Sequence, residues 1–162
     1  MSKRAAETLC VSYQAQYGIE LGIARLCHTY GPTMIDGDDR AASSFLRDAA
    51  LGRKIVLHSD GSTVRSYLYI FDAVRAILFI LCKGQGGQAY NVAPDDSISI
   101  KQFAEFCAKH SGQALDFQPK NEGSFKIIRQ VLDNSRLHEL GWHALTNISD
   151  GVRKTIEILQ HG

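Results

Sequence analysis

Two side chains in this sequence stand out for what they could hold. Arg65 closes the run Asp60-Gly61-Ser62-Thr63-Val64-Arg65, and its guanidinium can grip a diphosphate through paired, charge-assisted hydrogen bonds. The same side chain could instead be a surface arginine or the partner of Asp72. His28 opens His28-Thr29-Tyr30-Gly31-Pro32, where an imidazole can donate to phosphate with a charge that depends on pH near neutrality. Its plainer reading is a packed histidine at a strand end. Asp36, Asp38 and Asp39 share the loop Thr33 to Arg40 but lack the ligand spacing of a calcium loop, so they read as a solvated loop. Cys10 has no obvious histidine and acid partners and reads as a helix-face residue rather than a nucleophile. Cys10, Cys27, Cys82 and Cys107 lie far apart, with no Cys-x-x-Cys pair and no nearby histidine at zinc spacing, so no metal ligand set is predicted. Scattered buried thiols in a reducing cytosol are the expectation.

The elements that must position these groups follow from apolar periodicity. Ala6, Leu9, Cys10, Tyr13 and Tyr17 recur at three- and four-residue steps, predicting an amphipathic helix over Lys3 to Tyr17 that stops at Gly18. Ile19 to Leu26 predicts a buried strand running into the Gly31-Pro32 loop. Ala41 to Leu51 reads as a helix stopped by Gly52, Ile55 to Leu57 as a short strand, and Ser66 to Ile70 as another. Asp72 is placed to cap a helix over Ala73 to Cys82. A turn at Gly84 to Gly87 leads to a strand at Ala89 to Val92, and Ser99 begins a helix that ends near His110 with Gly112 behind it. Leu115 to Gln118 reads as extended, with helices at Ser135 to Leu140 and Asp150 to Leu159. The class is mixed α/β with short connections.

The 162 residues suit one ordinary domain, and 44% hydrophobic with 22% charged residues is a globular composition. With 18 basic against 17 acidic residues and no long block of either sign, neither a nucleic-acid nor a membrane partner is expected. The longest apolar run, Ala73 to Cys82, is interrupted by Arg75 and is too short to span a bilayer. Met1-Ser2-Lys3-Arg4 leads directly into a helical pattern, so no signal peptide and a cytoplasmic location are expected. A complete dinucleotide-binding fold needs several parallel strands and a glycine-rich first turn, and neither is evident. Gly84-Gln85-Gly86-Gly87 follows a helix and precedes a strand, the wrong order for that turn.

Four blocks taken together resemble the extended short-chain dehydrogenase/reductase family, and within it the nucleotide-sugar epimerases, dehydratases and UDP-glucuronate decarboxylases. They are Arg25 to Pro32, Asp60 to Asp72, Tyr90-Asn91-Val92, and Leu132 to Trp142, which ends in Leu140-Gly141-Trp142. Ser2-Lys3-Arg4-Ala5-Ala6-Glu7 further matches the tail of the family's Tyr-x-x-x-Lys motif, which puts Lys3 on the catalytic lysine and the tyrosine just before Met1, outside these residues.

The resemblance implies the C-terminal part of such a fold: a residual helix and strand of the cofactor-binding Rossmann domain over 1–32, and mainly substrate-binding lobe over 33–162. It implies substrate contacts at His28, Arg40, Leu57, His58 and Arg65, and cofactor contacts at Lys3, Tyr30, Gly31 and Pro32. His28 replaces the usual asparagine. Lysine and tyrosine four apart share a helix face, where the ammonium would lower the phenol pKa while hydride passes to NAD. With the tyrosine and glycine-rich loop absent, the chain alone is expected to bind no NAD and to turn nothing over, whatever its parent does. The expected ligand is a nucleotide sugar, UDP-linked by preference, and the Asp-Gly-Ser-Thr-Val-Arg-Ser block and the Tyr-Gly-Pro-Thr-Met loop look nearest to the decarboxylase group. The first helix corresponds to one that family members pack against its copy, so a homo-oligomer is expected. The alternative is a noncatalytic module that binds nucleotide sugars or a protein partner.

Overall fold

A computed structural model describes residues 2–35, 37–118 and 128–161; Met1 and Asp36 lie outside the described residues. Along the chain run α1 (Ser2–Tyr17), β1 (Ile23–Leu26), β2 (His28–Tyr30), α2 (Ala41–Ala50), β3 (Ile55–Leu57), β4 (Val64–Arg65), β5 (Tyr67–Tyr69), α3 (Ile70–Lys83) and β6 (Ala89–Val92). They are followed by β7 (Ile98–Ser99), α4 (Ile100–Ser111), β8 (Leu115–Phe117), β9 (Arg129–Gln130), α5 (Ser135–Glu139) and α6 (Ile148–His161).

Parallel pairing dominates, as helix-connected strands require. β1 pairs with β6, β2 with β5, and β3 with β8, all parallel, while β4 lies between antiparallel β7 and parallel β9. The pairing of β1 with β6 extends one residue further, through the Cys27 N–H donating to the Val92 carbonyl at 3.1 Å. One residue later His28 is opposite Tyr67 on β5. The chain therefore changes neighbours between Cys27 and His28. A strand that leaves one partner for another opens a crevice at the change, the kind of place where α/β sheets hold ligands.

Two cores back this arrangement. Phe45, Leu46 and Ala49 of α2, Phe103, Ala104 and Cys107 of α4, and Val152 and Ile156 of α6 enclose Ile55, Leu57, Tyr30 and Tyr67. Tyr30 sits edge-on to Phe103 with ring centroids 5.2 Å apart, and its hydroxyl donates to the Ile148 carbonyl at 3.0 Å. The second core joins Ala73, Ala76 and Ile80 of α3 to Leu68, Tyr90, Val92, Leu137 and Trp142. Local signals start and stop the helices. Ser99 Oγ accepts from the Gln102 N–H and Gln102 Oε1 from the Ser99 N–H, a reciprocal cap on α4, and Gly112 at φ 69 ends it.

Several expectations need correction. β1 is shorter than the apolar run that contains it, and it is not a buried strand: Arg25 and Leu26 are exposed, because among the described residues it is paired on one edge only. α1 forms as expected, yet none of its residues is buried, and Leu9, Tyr13 and Tyr17 face outward. Asp72 does not cap a helix beginning at Ala73. β5 runs directly into α3, which starts at Ile70, so Asp72 falls in its first turn, fully buried. Its carboxylate accepts the Leu145 N–H at 3.1 Å and the Thr146 N–H at 2.9 Å, and its guanidinium partner is Arg75 at 2.8 Å, not Arg65. The thiols are not uniformly buried either. Cys107 is buried and Cys27 half-buried, while Cys10 and Cys82 are exposed.

Candidate functional site

The crevice at the change of strand partner is a cavity of about 600 Å³, lined by Leu26, Cys27, His28, Arg40 and the segment Arg129 to Leu132. A smaller recess adjoins it and shares His28 and Arg40; Thr29, Ser43, Arg65 and Tyr67 complete its wall. The structure thus brings three of the sequence-assigned substrate residues, His28, Arg40 and Arg65, to one place.

Arg65 is placed by β4, where it faces Ile98 on one side and Gln130 on the other. Its Nε is buried and has no hydrogen-bond partner among the described residues. A buried, unpartnered guanidinium N–H costs free energy that an anionic acceptor would recover. Arg40 differs, because it arrives already paired. Its Nη2 donates to Asp38 Oδ2 at 2.6 Å and its Nε to Asp38 Oδ1 at 2.9 Å. Asp38 also accepts from Ser43 Oγ at 2.7 Å, and the Arg47 guanidinium donates to its carbonyl at 3.0 Å. The Arg40 and Ser43 hydrogen bonds hold the Asp38 carboxyl far below the usual carboxylate range. Asp38 is therefore the organiser of this loop, not a solvated bystander; only 12% of its side chain is exposed.

His28 packs against the Tyr67 ring at 5.9 Å. Burial, then the nearby Arg65 and Arg40 charges, push its pKa below the ordinary histidine value, which favours the neutral ring. Burial also pushes the Cys27 thiol and the Tyr67 phenol up to about 12 each. Both line the site as neutral groups, which suits binding rather than proton abstraction or nucleophilic attack.

The remaining sequence-assigned residues are placed apart from this cluster. Leu57 is in the core and His58 is exposed, and neither lines the cavity. Lys3 is exposed on α1 beside a separate cavity of about 470 Å³, which it lines with Glu7, Cys10 and Gly22 to Leu26. Leu26 borders both cavities. Glu7 there binds Arg25 with two hydrogen bonds, at 2.9 and 2.7 Å. Gly31 is needed for close packing, since a Cβ would collide with the Ile70 side chain. Arg129 and Gln130 carry no motif and came to the cavity only through the pairing of β9 with β4, which joins residues 65 apart in sequence. A basic residue ahead of the Leu132 block was the one available hint.

Parallel strand pairs packed with helices, and an arginine- and histidine-lined crevice at a change of strand partner, make an α/β arrangement of the kind that holds anionic ligands. The description "NAD dependent epimerase/dehydratase family" matches residues 1–93, and the chain belongs to that family. It is 32% identical over 158 residues to the trifunctional UDP-glucose 4,6-dehydratase/UDP-4-keto-6-deoxy-D-glucose 3,5-epimerase/UDP-4-keto-L-rhamnose-reductase of Arabidopsis thaliana, covering 96% of this chain and 23% of that protein. It is 28% identical over 156 residues to UDP-glucuronic acid decarboxylase 1 of Xenopus tropicalis, covering 95% of this chain and 37% of that one. The UDP-glucose 4-epimerase of Thermotoga maritima, solved with UDP-glucose, has the same fold: TM-score 0.85, 23% identity, 98% of this chain and 52% of the other. The fold is accordingly α/β of the extended short-chain dehydrogenase/reductase type, and the chain spans about half of that structure and less of the two relatives.

Proposed function

We propose that these residues form the substrate-holding lobe of an NAD-dependent nucleotide-sugar epimerase, dehydratase or decarboxylase, with a UDP-sugar as the favoured ligand. The observation that carries this reading is the buried Arg65 Nε without an acceptor among the described residues, in a recess that shares His28 and Arg40 with the cavity lined by Arg129. With Arg40 neutralised by Asp38, the charges of Arg65 and Arg129 remain to meet a diphosphate. Neutral His28 supplies one further donor or acceptor, as the asparagine it replaces would. The UDP-linked activities named for both relatives support the same ligand class, and their different chemistries leave the reaction open among the three.

NAD is the cofactor this family implies, supplying and recovering hydride at the sugar. The residues here do not suffice to hold it. Residues 1–162 include no glycine-rich strand-to-helix turn for a pyrophosphate, the Tyr30 hydroxyl is committed to Ile148, and Lys3 stands exposed on α1. We therefore assign this chain alone a binding role, with Lys3 and the Tyr30 to Pro32 backbone as its contribution to a cofactor site, and residues 1–32 as its part of the cofactor domain. The exposed Leu9, Tyr13 and Tyr17 on α1 support self-association through that helix.

The test is to follow the arginine side-chain N–H resonances while UDP is added. The Arg65 Nε–H signal should shift with saturation. An unmoved Arg65 signal alongside saturable shifts elsewhere would place the ligand outside this crevice.

A further inference from the structure

Away from the nucleotide crevice, three side chains converge that no motif connects. Asp95 lies just beyond β6, His138 is on α5, and His143 follows the Gly141-Trp142 turn. One ligand atom from each lies within 4.8 Å of the other two. The imidazole rings are 4.4 Å apart at their centroids, and His138 Nε2 is 3.0 Å from Asp95 Oδ1. We propose that these residues form a divalent transition-metal site of two histidines and one carboxylate, best suited to Zn2+ with a water completing the coordination.

Three features support the assignment. The donor set is the first: two imidazoles with a carboxylate is a borderline-soft combination that suits Zn2+ and its neighbours in the first row and disfavours Ca2+ and Mg2+. Geometry is the second. Tetrahedral bonds of about 2.0–2.1 Å set ligand atoms roughly 3.3 Å apart. His138 Nε2 and Asp95 Oδ1, at 3.0 Å, are within a few tenths of an ångström of that spacing, and a ligand atom of the exposed His143 lies within 4.8 Å of both residues' ligand atoms. Support from the surroundings is the third. Buried Leu137 and Trp142 anchor the chain next to each histidine, so both rings leave a fixed backbone. Asn134 Nδ2 donates to Asp95 Oδ1 at 2.9 Å and to the Ala93 carbonyl at 3.0 Å, tethering the carboxylate at the oxygen that faces His138, as outer partners of metal ligands do.

The consequence is mechanical. A bound ion would clip the loop after β6 to α5 and to the turn behind it, adding a direct link to the packing of Leu137 and Trp142 against Val92. The same strip of chain reaches the nucleotide crevice through Leu132, and Asn91 Nδ2 secures it by donating to the Asp133 carbonyl at 2.7 Å.

Zn2+ affinity is measured by competition against a chromophoric chelator, and Co2+ is added separately to read the ligand set from its visible absorption. The protein should take up one equivalent of Zn2+. His143→Ala and Asp95→Asn should each weaken binding by about tenfold or more, and Zn2+ should raise the Tm of the unsubstituted protein but not of the His138→Ala/His143→Ala double variant. His143 is exposed, so an unchanged metal-free melting curve verifies that its variant is folded. Three results would each overturn the site: no uptake at micromolar Zn2+, equal uptake by the double variant, or a thiolate-to-cobalt charge-transfer band, which would put a cysteine in the coordination sphere.

Discussion

Arg40 reaches the crevice beside His28 with its Nη2 already donating to Asp38 Oδ2 at 2.6 Å. An arginine that is paired in this way is oriented but electrically compensated, so it aims donors at a ligand without adding net charge. Asp38→Asn would remove the compensation and release the fork. The expected result is a disordered Arg40 and a steeper salt dependence of UDP binding, because one more uncompensated cation then faces the ligand. Binding measured across a salt series checks this; an unchanged slope would show that Arg40 does not sense the ligand.

His28 should make the protein sensitive to mild acid. Its pKa is lowered in the folded state by burial first and by Arg65 and Arg40 second. The unfolded chain takes up a proton near the ordinary value of about 6.5, while the folded protein resists until a lower pH. Between those two values the unfolded state binds more protons, so stability falls as the pH drops below about 6.5 and levels off below the folded pKa. His110, also lowered by burial, adds in the same direction. Denaturant midpoints against pH test the point: His28→Asn should flatten the slope in that window and leave stability above it nearly unchanged.

Asp72 carries more of the fold than of the chemistry. Its buried carboxylate ties α3 to the chain ahead of α6 through the Leu145 and Thr146 N–H groups. Asp72→Ala leaves both donors and Arg75 without their acceptor and should cost about 3 kcal/mol, in the range for breaking a buried charged pair. Equilibrium urea unfolding reads this, and a loss under about 1 kcal/mol would mean water replaces the carboxylate without penalty.

Gly151 reverses the usual helix rule. Glycine to alanine inside a helix ordinarily gains up to about 1 kcal/mol, but a Cβ at Gly151 would collide with the Tyr30 hydroxyl. Gly151→Ala should therefore destabilise by about 1–3 kcal/mol, displacing Tyr30 from the Ile148 carbonyl. A Gly151→Ala/Tyr30→Phe pair should recover part of the loss in the same unfolding measurement.

α1 should make the protein associate. Leu9, Tyr13 and Tyr17 are exposed on a helix with no buried residue. Light scattering should give a dimer or larger, and Leu9→Glu/Tyr13→Glu should reduce the mass to that of one chain. A monomer without the substitutions would count against the helix as an interface.

What was legible in the sequence were the elements with local signals. Ser99 and Gly112 bracket α4 by capping chemistry, Gly52 at φ 67 follows α2, and the strand Ala89–Val92 falls where its apolar residues put it. Arg65 and His28 were singled out by their side-chain chemistry, and the structure adds that they share a wall. What depended on long-range pairing was not legible. Arg129 comes to the crevice only because β9 pairs with β4, and Asp72 finds its acceptor role in N–H groups more than 70 residues away. Asp95 and His138 are likewise too far apart in sequence for any ligand spacing to show. The exposed flank of β1 escaped for the opposite reason: its apolar run reads as buried whatever lies beside it.

Calorimetric titration of UDP, of UDP-glucose and of uridine into the protein and its Arg65→Ala variant addresses the diphosphate reading at its source. UDP and UDP-glucose should bind the unsubstituted protein, uridine should bind at least about a hundredfold more weakly, and Arg65→Ala should lose about 2 kcal/mol, near thirtyfold, for the diphosphate ligands alone. No heat with any of the three, or equal affinity for UDP with and without Arg65, would contradict a crevice built around that guanidinium.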